Sequence, residues 1–192
     1  MTEQTTQQAS PAKVKKGQKK AFFDVKAPMI SAKISLYAYS PEELVGKVAK
    51  IDLTRILKGK NFELRLRTEK KESGELEGEP ISIGLAGSYI RRMMRTGIDY
   101  VEDSFEVECK DGRAKIKPFM ITRNKVSRAV RKELRNSAKK FLEGYSKARS
   151  SKEIFGDITS NKIQKDLFLK LKKIYPLALC EIRVFEIAKE KK

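Results

Sequence analysis

No histidine and no tryptophan occur among the 192 residues, and only two residues are cysteine. Without histidine the chain lacks the commonest general acid–base and a frequent metal ligand, so catalysis would have to rest on aspartate or lysine chemistry. Cys109 and Cys180 stand far apart, without metal-ligand spacing, each in an alternating strand-like run; they read as small buried apolar residues rather than a disulfide. Nowhere do about 18 apolar residues follow one another, the length a spanning helix needs. The N-terminus has no apolar h-region, so no signal peptide and a cytoplasmic location are expected. The acidic run from Glu69 to Glu79 is broken by Gly74 and Gly78 and reads as a solvated hairpin loop, not a metal site. No cofactor, metal or small-molecule substrate is indicated.

What is abundant is positive charge, and it is unevenly placed. Lys and Arg total 43 against 25 Asp and Glu, a formal +18. Residues 113–150 hold 13 basic and two acidic residues, net +11, and residues 1–20 add a net +4, whereas residues 21–112 carry a net −1. Self-repulsion on this scale opposes compaction, so a polyanionic partner is expected. A surface that merely mixed both signs would not be polarised in this way.

Residues 1–20 contain few large apolar side chains and end in KVKKGQKK. They cannot bury enough surface to repay ordering, so they read as a disordered basic arm in the free protein. From residue 21 to 192 one domain is expected. Pro28 breaks FFDVKAPMI and predicts an irregular first strand. Phe62, Leu64 and Leu66 alternate with charged residues, as in a half-buried strand. GLAG, at residues 84–87, lacks the Lys-Ser/Thr of a phosphate loop, and its glycines read as points of close backbone packing. SYIRRMMRTGI follows as a short basic helix. Phe105, Val107 and Cys109 alternate with acids, Asp111-Gly112 is a favoured hairpin dipeptide, and the return strand turns Arg113, Lys115 and Lys117 outward, with Pro118 expected at an edge or bulge. Then Thr122–Ser150 reads as one long helix capped by Thr122, with Val126, Val130, Leu134, Ala138, Phe141 and Tyr145 as its core seam. A linker begins at Ser150-Ser151. Ile163, Leu167, Leu171 and Ile174 define a second helix that Pro176 stops, and Cys180, Ile182 and Val184 define a last strand. Strands and helices are segregated more than alternated, which predicts an α+β fold with a largely antiparallel, barrel-like sheet of about five to seven strands.

The long helix offers Arg123, Lys125, Arg128, Arg131, Lys132, Arg135, Lys139 and Lys140. Lys13, Lys15, Lys16, Lys19 and Lys20 in the arm, and Arg91, Arg92 and Arg95 on the short helix, complete the candidate RNA-binding set. A membrane-surface helix would show a wide, bulky apolar face, and this seam is modest. A helix-turn-helix needs a compact helical unit, and a β-hairpin precedes this helix. Basic residues dispersed over several elements suit an irregular folded RNA better than a single groove. Charge alone leaves open a free regulatory RNA- or single-stranded-DNA-binding protein.

DVKAP at residues 24–28, the hairpin through KDGRAKIKPF, TRNK running into the basic helix, and IYPL at residues 174–177 resemble, in order and spacing, the archaeal and eukaryotic small-ribosomal-subunit protein family S-three-a-e, also called e-S-one. The likeness covers about residues 15–189, and the short C-terminal part looks archaeal. It implies a non-enzymatic structural constituent of the small subunit, on the platform near the mRNA exit and the 3′ region of the ribosomal RNA, beside other small-subunit proteins. It also implies that Lys13–Lys20 and the Arg123–Lys140 face contact ribosomal RNA. Phe22-Phe23 stands where an aromatic pair containing tryptophan is usual in the eukaryotic members, so no stacking contact is carried over.

Overall fold

The computed structural model describes residues 19–30, 32–57, 59–71 and 74–188. They form two compact units. The first takes the described residues up to Ala49 and Arg67–Glu79; the second takes Lys50–Leu66 and those from Pro80 onward.

In the first unit, β1 (Ala21–Ala27) and β2 (Ala32–Ala38) pair antiparallel from Ala21↔Ala38 to Ala27↔Ala32. The expected irregular strand is therefore a regular hairpin. Pro28 falls in its turn, where an extended residue before proline costs nothing and the Ile30 N–H donates to the Ala27 carbonyl at 3.1 Å. Val25 and Ala38 are buried with Leu44, from a 3-10 turn at Pro41–Leu44, and with Leu76, while Phe23 and Leu36 pack against them. Leu76 opens β5 (Leu76–Leu85), which runs parallel to β1 through Val25↔Leu76. β4 (Phe62–Lys70) pairs with β3 (Val48–Asp52) and with β5. As its alternation predicts, Phe62, Leu64 and Leu66 are buried. β4 extends through Glu69 and Lys70 and β5 begins at Leu76, so the acidic loop is shorter than the composition suggests.

The second unit adds α1 (Gly87–Met93), β6 (Tyr100–Glu102), β7 (Phe105–Cys109), β8 (Gly112–Thr122), α2 (Arg128–Lys147), α3 (Ser151–Thr159), α4 (Lys162–Leu171) and β9 (Leu177–Ile187). β8 is central, with β7 and then β6 along one edge and β9 along the other; β9 continues antiparallel to β5. The α+β class and the largely antiparallel sheet hold. The described residues contain nine strands rather than five to seven, and the path of pairing ends on β2 and β6, two edges not hydrogen-bonded to each other, so the sheet is open and not a barrel.

Pro118 lies in the middle of β8, yet no ladder bond is missing a donor. On one side it falls between the segments paired to β7 and to β6, and on the other the register shifts, with Lys117 opposite Val184 and Pro118 opposite Ile182. This is the expected bulge. It leaves Arg183 as the extra residue and switches the parity of β9, so Phe185 and not Val184 continues the core, meeting Phe155 of α3 edge-on at 4.9 Å between ring centroids. In the β7–β8 turn, register pairing of Cys109 with Gly112 makes Lys110 and Asp111 the two loop residues. Gly112 has φ +142, where a side chain would be strained. The glycines of GLAG do not mark close packing: a Cβ on Gly84 would meet the Arg183 carbonyl at an ordinary 3.7 Å, and one on Gly87 would meet nothing within 4 Å.

The long helix is shorter than expected at both ends. Thr122 remains in β8, its hydroxyl donating to carbonyls of Asp99 and Asn124 at 2.8 Å, and Ser127 caps α2 instead, accepting from the Val130 N–H at 3.4 Å. The expected linker after Ser150 is helix α3. Ser150 accepts from the Glu153 N–H at 3.3 Å and Glu153 accepts from the Ser150 N–H at 3.2 Å, a reciprocal capping box. Ile163, Leu167 and Leu171 of the expected α4 core face are buried, but the helix ends at Leu171, before Pro176, and Ile174 is half-buried in the turn that follows. The α2 seam is Leu134, Ala138, Leu142 and Ser146, at i+4 spacing, with Phe141 and Tyr145 only half-buried beside it. Leu142→Ala should therefore cost about 2–5 kcal/mol in denaturant unfolding, whereas Val130→Ala, at a half-buried position in the first turn, should move the midpoint far less. Equal losses would contradict this seam.

Candidate nucleic-acid interface

Helix α2 is held against the sheet by its seam, packing on β6, β7 and α4. Both of its ends are tied down. Before it, the Asp99 carboxylate accepts from the Val126 N–H at 2.9 Å. After it, Arg149 donates to the Asp157 carboxylate, which also accepts from the Tyr145 hydroxyl at 2.8 Å, while the guanidinium lies 3.8 Å from the Tyr145 ring centroid. The β7–β8 turn docks at the same place: the Lys110 N–H donates to the Arg149 carbonyl at 3.1 Å, and the Ser151 N–H donates to the Asp111 carboxylate at 3.1 Å. On that hairpin, Glu106 stands opposite Lys115 and Glu108 opposite Arg113, so its acidic and basic strands offset each other.

This anchoring fixes which cations can face a partner. Arg128, Lys132, Arg135 and Lys139 follow one another at spacings of four, three and four, which lines them along one flank of α2. All four are exposed. Lys139 has Glu143 at 3.9 Å and lies 5.8 Å from the Phe105 ring centroid, while Arg128, Lys132 and Arg135 make no ion pair among the described residues. Arg131 is half-buried. With Arg135 it borders a polar groove of about 640 Å³ whose other walls are Asp99, Tyr100, Glu102, Asp103, Ser104 and Lys117. The groove's acids have partners of their own: Glu102 pairs with Arg183, and Asp103 accepts from the Ser104 N–H at 2.9 Å. Lys140 is exposed on the side of α2 away from the buried seam, and Arg123 and Lys125 are exposed in the segment before the helix.

The other candidates are not on this flank. Arg91, Arg92 and Arg95 are exposed on α1 and just beyond it. Arg92 is engaged, donating to Asn61 Oδ1 at 2.8 Å and lying 5.8 Å from the Tyr89 ring centroid. Lys19 and Lys20 are exposed in the first unit, and Lys13, Lys15 and Lys16 lie outside the described residues. Cys109 and Cys180 are free thiols. Burial pushes both upward from the usual thiol range, so neither is poised as a thiolate.

One cluster escaped the sequence reading. Glu181 is 3% exposed, and its Oε1 accepts from Lys60 Nζ at 2.6 Å, while the same ammonium donates to Asn161 Oδ1 at 2.7 Å. Burial raises the Glu181 pKa from the usual carboxylate range, and Lys60 opposes that shift. The strand alternation placed Glu181 outward. The only hint was an acid two residues ahead of a bulge, which is not a readable signal.

Among the described residues no group of three or more histidine, cysteine or carboxylate side chains could hold a metal, and no helix is long and apolar enough to cross a membrane. Among the described residues the site is thus a row of exposed cations on one helix of an α+β scaffold. The chain matches the Ribosomal S3Ae family over residues 8–191 and belongs to it. It is similar to proteins named small ribosomal subunit protein eS1: that of Nanoarchaeum equitans, 28% identical over 183 residues covering 91% of each chain; that of Methanothermobacter thermautotrophicus, 27% over 132 residues covering 68% of each; and that of Pyrobaculum islandicum, 25% over 177 residues covering 88% of this chain and 80% of the relative. The family is one of structural ribosomal constituents, and the chain is not an enzyme.

Proposed function

We propose that this protein is a structural constituent of the archaeal small ribosomal subunit, built against ribosomal RNA through the α2 flank. The observation that carries the reading is the row Arg128, Lys132, Arg135, three exposed cations without ionic partners among the described residues, on a helix whose adjoining buried seam and both ends are held in place. A rigid array of this kind neutralises phosphates with little ordering cost, and arginine can grip them bidentately. Arg123, Lys125, Lys139 and Lys140 extend the field, and Lys19, Lys20, Arg91 and Arg95 supply separate contacts, together with Lys13, Lys15 and Lys16 of the arm. Arg131 and Arg92 hold position rather than phosphate, since one is half-buried beside the groove and the other is bound to Asn61. Family membership supports placement on the subunit platform near the mRNA exit and the 3′ region of the ribosomal RNA, beside other small-subunit proteins, in the cytoplasm. A free regulatory protein would distribute between the particle and soluble fractions.

The test is gradient fractionation of cells expressing the tagged full chain, with crosslinking of the recovered particle. The protein should co-sediment with the small subunit at low salt, with crosslinks in the 3′ part of the ribosomal RNA. Recovery only in the soluble fraction, or crosslinks scattered over unrelated RNAs, would overturn the assignment.

A further inference from the structure

The outer face of the β1–β2 hairpin is not what a solvated strand face should be. Phe22 and Tyr37 are cross-strand partners, 72% and 57% exposed, with ring centroids 5.0 Å apart and a 44° tilt. A phenyl ring has no polar edge to offer water, and burying it elsewhere would be worth the ordinary hydrophobic gain. A single exposed ring needs no explanation. Here, however, the Lys20 ammonium also lies 5.6 Å from the Tyr37 ring centroid and 5.0 Å from that of Tyr39. Two exposed ring faces and a cation thus converge at one end of a two-stranded sheet.

The charge around the rings indicates what covers them. On this face Asp24 is occupied, accepting from the Ser35 hydroxyl at 2.8 Å, and Lys26 is paired with Glu75 at 2.7 Å. Lys19, Lys20 and Lys33 have no ion pair among the described residues and only the Asp24 carboxylate stands against them, so the balance of charge is positive. The basic stretch KVKKGQKK leads directly into β1 in the sequence. An anionic backbone carrying flat apolar surfaces fits this combination: aromatic rings on a sheet face accept bases by stacking while lysines follow the phosphates. A protein partner would have to meet the same rings with a predominantly acidic surface, an alternative that the test below separates.

We propose that Phe22 and Tyr37, with Lys20 beside them, form a stacking platform for unpaired bases of single-stranded RNA. The proposal rests on the RNA-binding reading above and adds a second mode to it: α2 holds phosphates of folded RNA, and the hairpin holds splayed bases.

The chain has no tryptophan, so Phe22→Trp installs a sole indole reporter on the platform. Titrating the full-length Phe22→Trp protein with a single-stranded oligoribonucleotide of about ten nucleotides, within the range one such surface covers, should quench its emission, and the corresponding duplex should not. In the tryptophan-free background, Phe22→Ala with Tyr37→Ala should weaken single-strand binding by about tenfold or more with little change in salt dependence, because no phosphate contact is removed. Tyr37→Phe, which keeps the ring, should bind as the wild type does. Both alanines replace exposed side chains, and an unchanged melting midpoint confirms that the hairpin core is intact. An indole silent to every RNA, with unaltered binding by the double alanine variant, overturns the platform. So does an indole that responds only when other small-subunit proteins are added, which would make the face a protein contact. If Arg128, Lys132 and Arg135 prove essential while the indole stays silent, the RNA reading stands and the platform alone falls.

Discussion

Replacing Arg128, Lys132 and Arg135 together with glutamate should weaken binding of ribosomal RNA on the order of 100-fold or more at low salt, while α2 stays folded. Each lost phosphate contact also removes about one unit from the slope of log affinity against log salt, so the slope should become shallower by roughly three. The helix tolerates the change for identifiable reasons. All three residues are exposed and without ion pairs, so no native contact is broken. Repulsion among three cations at these spacings is exchanged for similar repulsion among three anions. Position 128 is the first helical residue after the Ser127 cap, where a carboxylate is favoured by the positive end of the helix dipole. Circular dichroism and the unfolding midpoint should stay close to wild type. Arg131→Glu provides the contrast: Arg131 and Arg135 both border the groove, but only Arg131 is half-buried, so a carboxylate there is held beside Asp99, Glu102 and Asp103 with less screening and should lower stability more than RNA affinity. If the triple variant binds with unchanged affinity and salt slope, the α2 flank points away from RNA.

How much of this was legible in the sequence depends on how local each determinant is. The class of fold, the β7–β8 hairpin and the alternation in β4 rest on periodicities and turn residues that act within a few positions, and the structure agrees with them; the second helix ends at Leu171, short of Pro176. The bulge at Pro118 was also foreseeable, since a proline in a central strand must fall where no donor is required. What the bulge does to β9 was not foreseeable. A one-residue shift exchanges the two faces of a strand, so Phe185 replaced Val184 in the core and the parity argument failed beyond Ile182. In α2, Phe141/Tyr145 and Leu142/Ser146 are adjacent rows, and composition favours the aromatic one. The structure buries the row with Leu134 and Ala138 because it meets the sheet, which is a tertiary matter. Helix α3 was missed because Ser150-Ser151 reads as a linker, although Ser150 followed three residues later by Glu153 is a capping-box signature.

The candidate site divides along the same line. Charge accounting found the basic block without reference to geometry. Separating Arg128, Lys132 and Arg135 from Arg131 required the fold, which half-buries Arg131 and leaves the other three exposed. The Phe22–Tyr37 platform could have been suspected, since strict alternation puts Phe22 on the face of Asp24 and Lys26. Its cross-strand partner depended on a hairpin that the proline obscured.

Lys60→Met should be the most destabilising single change outside the apolar core, costing about 3–5 kcal/mol at neutral pH, because it leaves the Glu181 carboxylate buried without its counter-ion. The pH dependence tests the cause. Burial raises the folded-state pKa of Glu181 above its unfolded value, with Lys60 opposing. A raised acid binds its proton more tightly in the folded state, so its contribution to stability is fully present below the unfolded pKa near 4.5 and is lost as pH rises through the folded value. Removing Lys60 raises that folded value further and widens the window of loss. The deficit of Lys60→Met, measured by urea unfolding, should therefore be large at neutral pH and shrink as pH falls toward 4.5. Adding Glu181→Leu should recover much of the loss at neutral pH, since a buried pair replaced by apolar groups is often neutral in stability. The exposed Lys26–Glu75 pair is the control: Lys26→Met should leave the midpoint essentially where it was, because a solvated ion pair contributes little. A Lys60→Met deficit that is independent of pH would assign the loss to packing of the lysine stem and its bond to Asn161, not to an uncompensated charge.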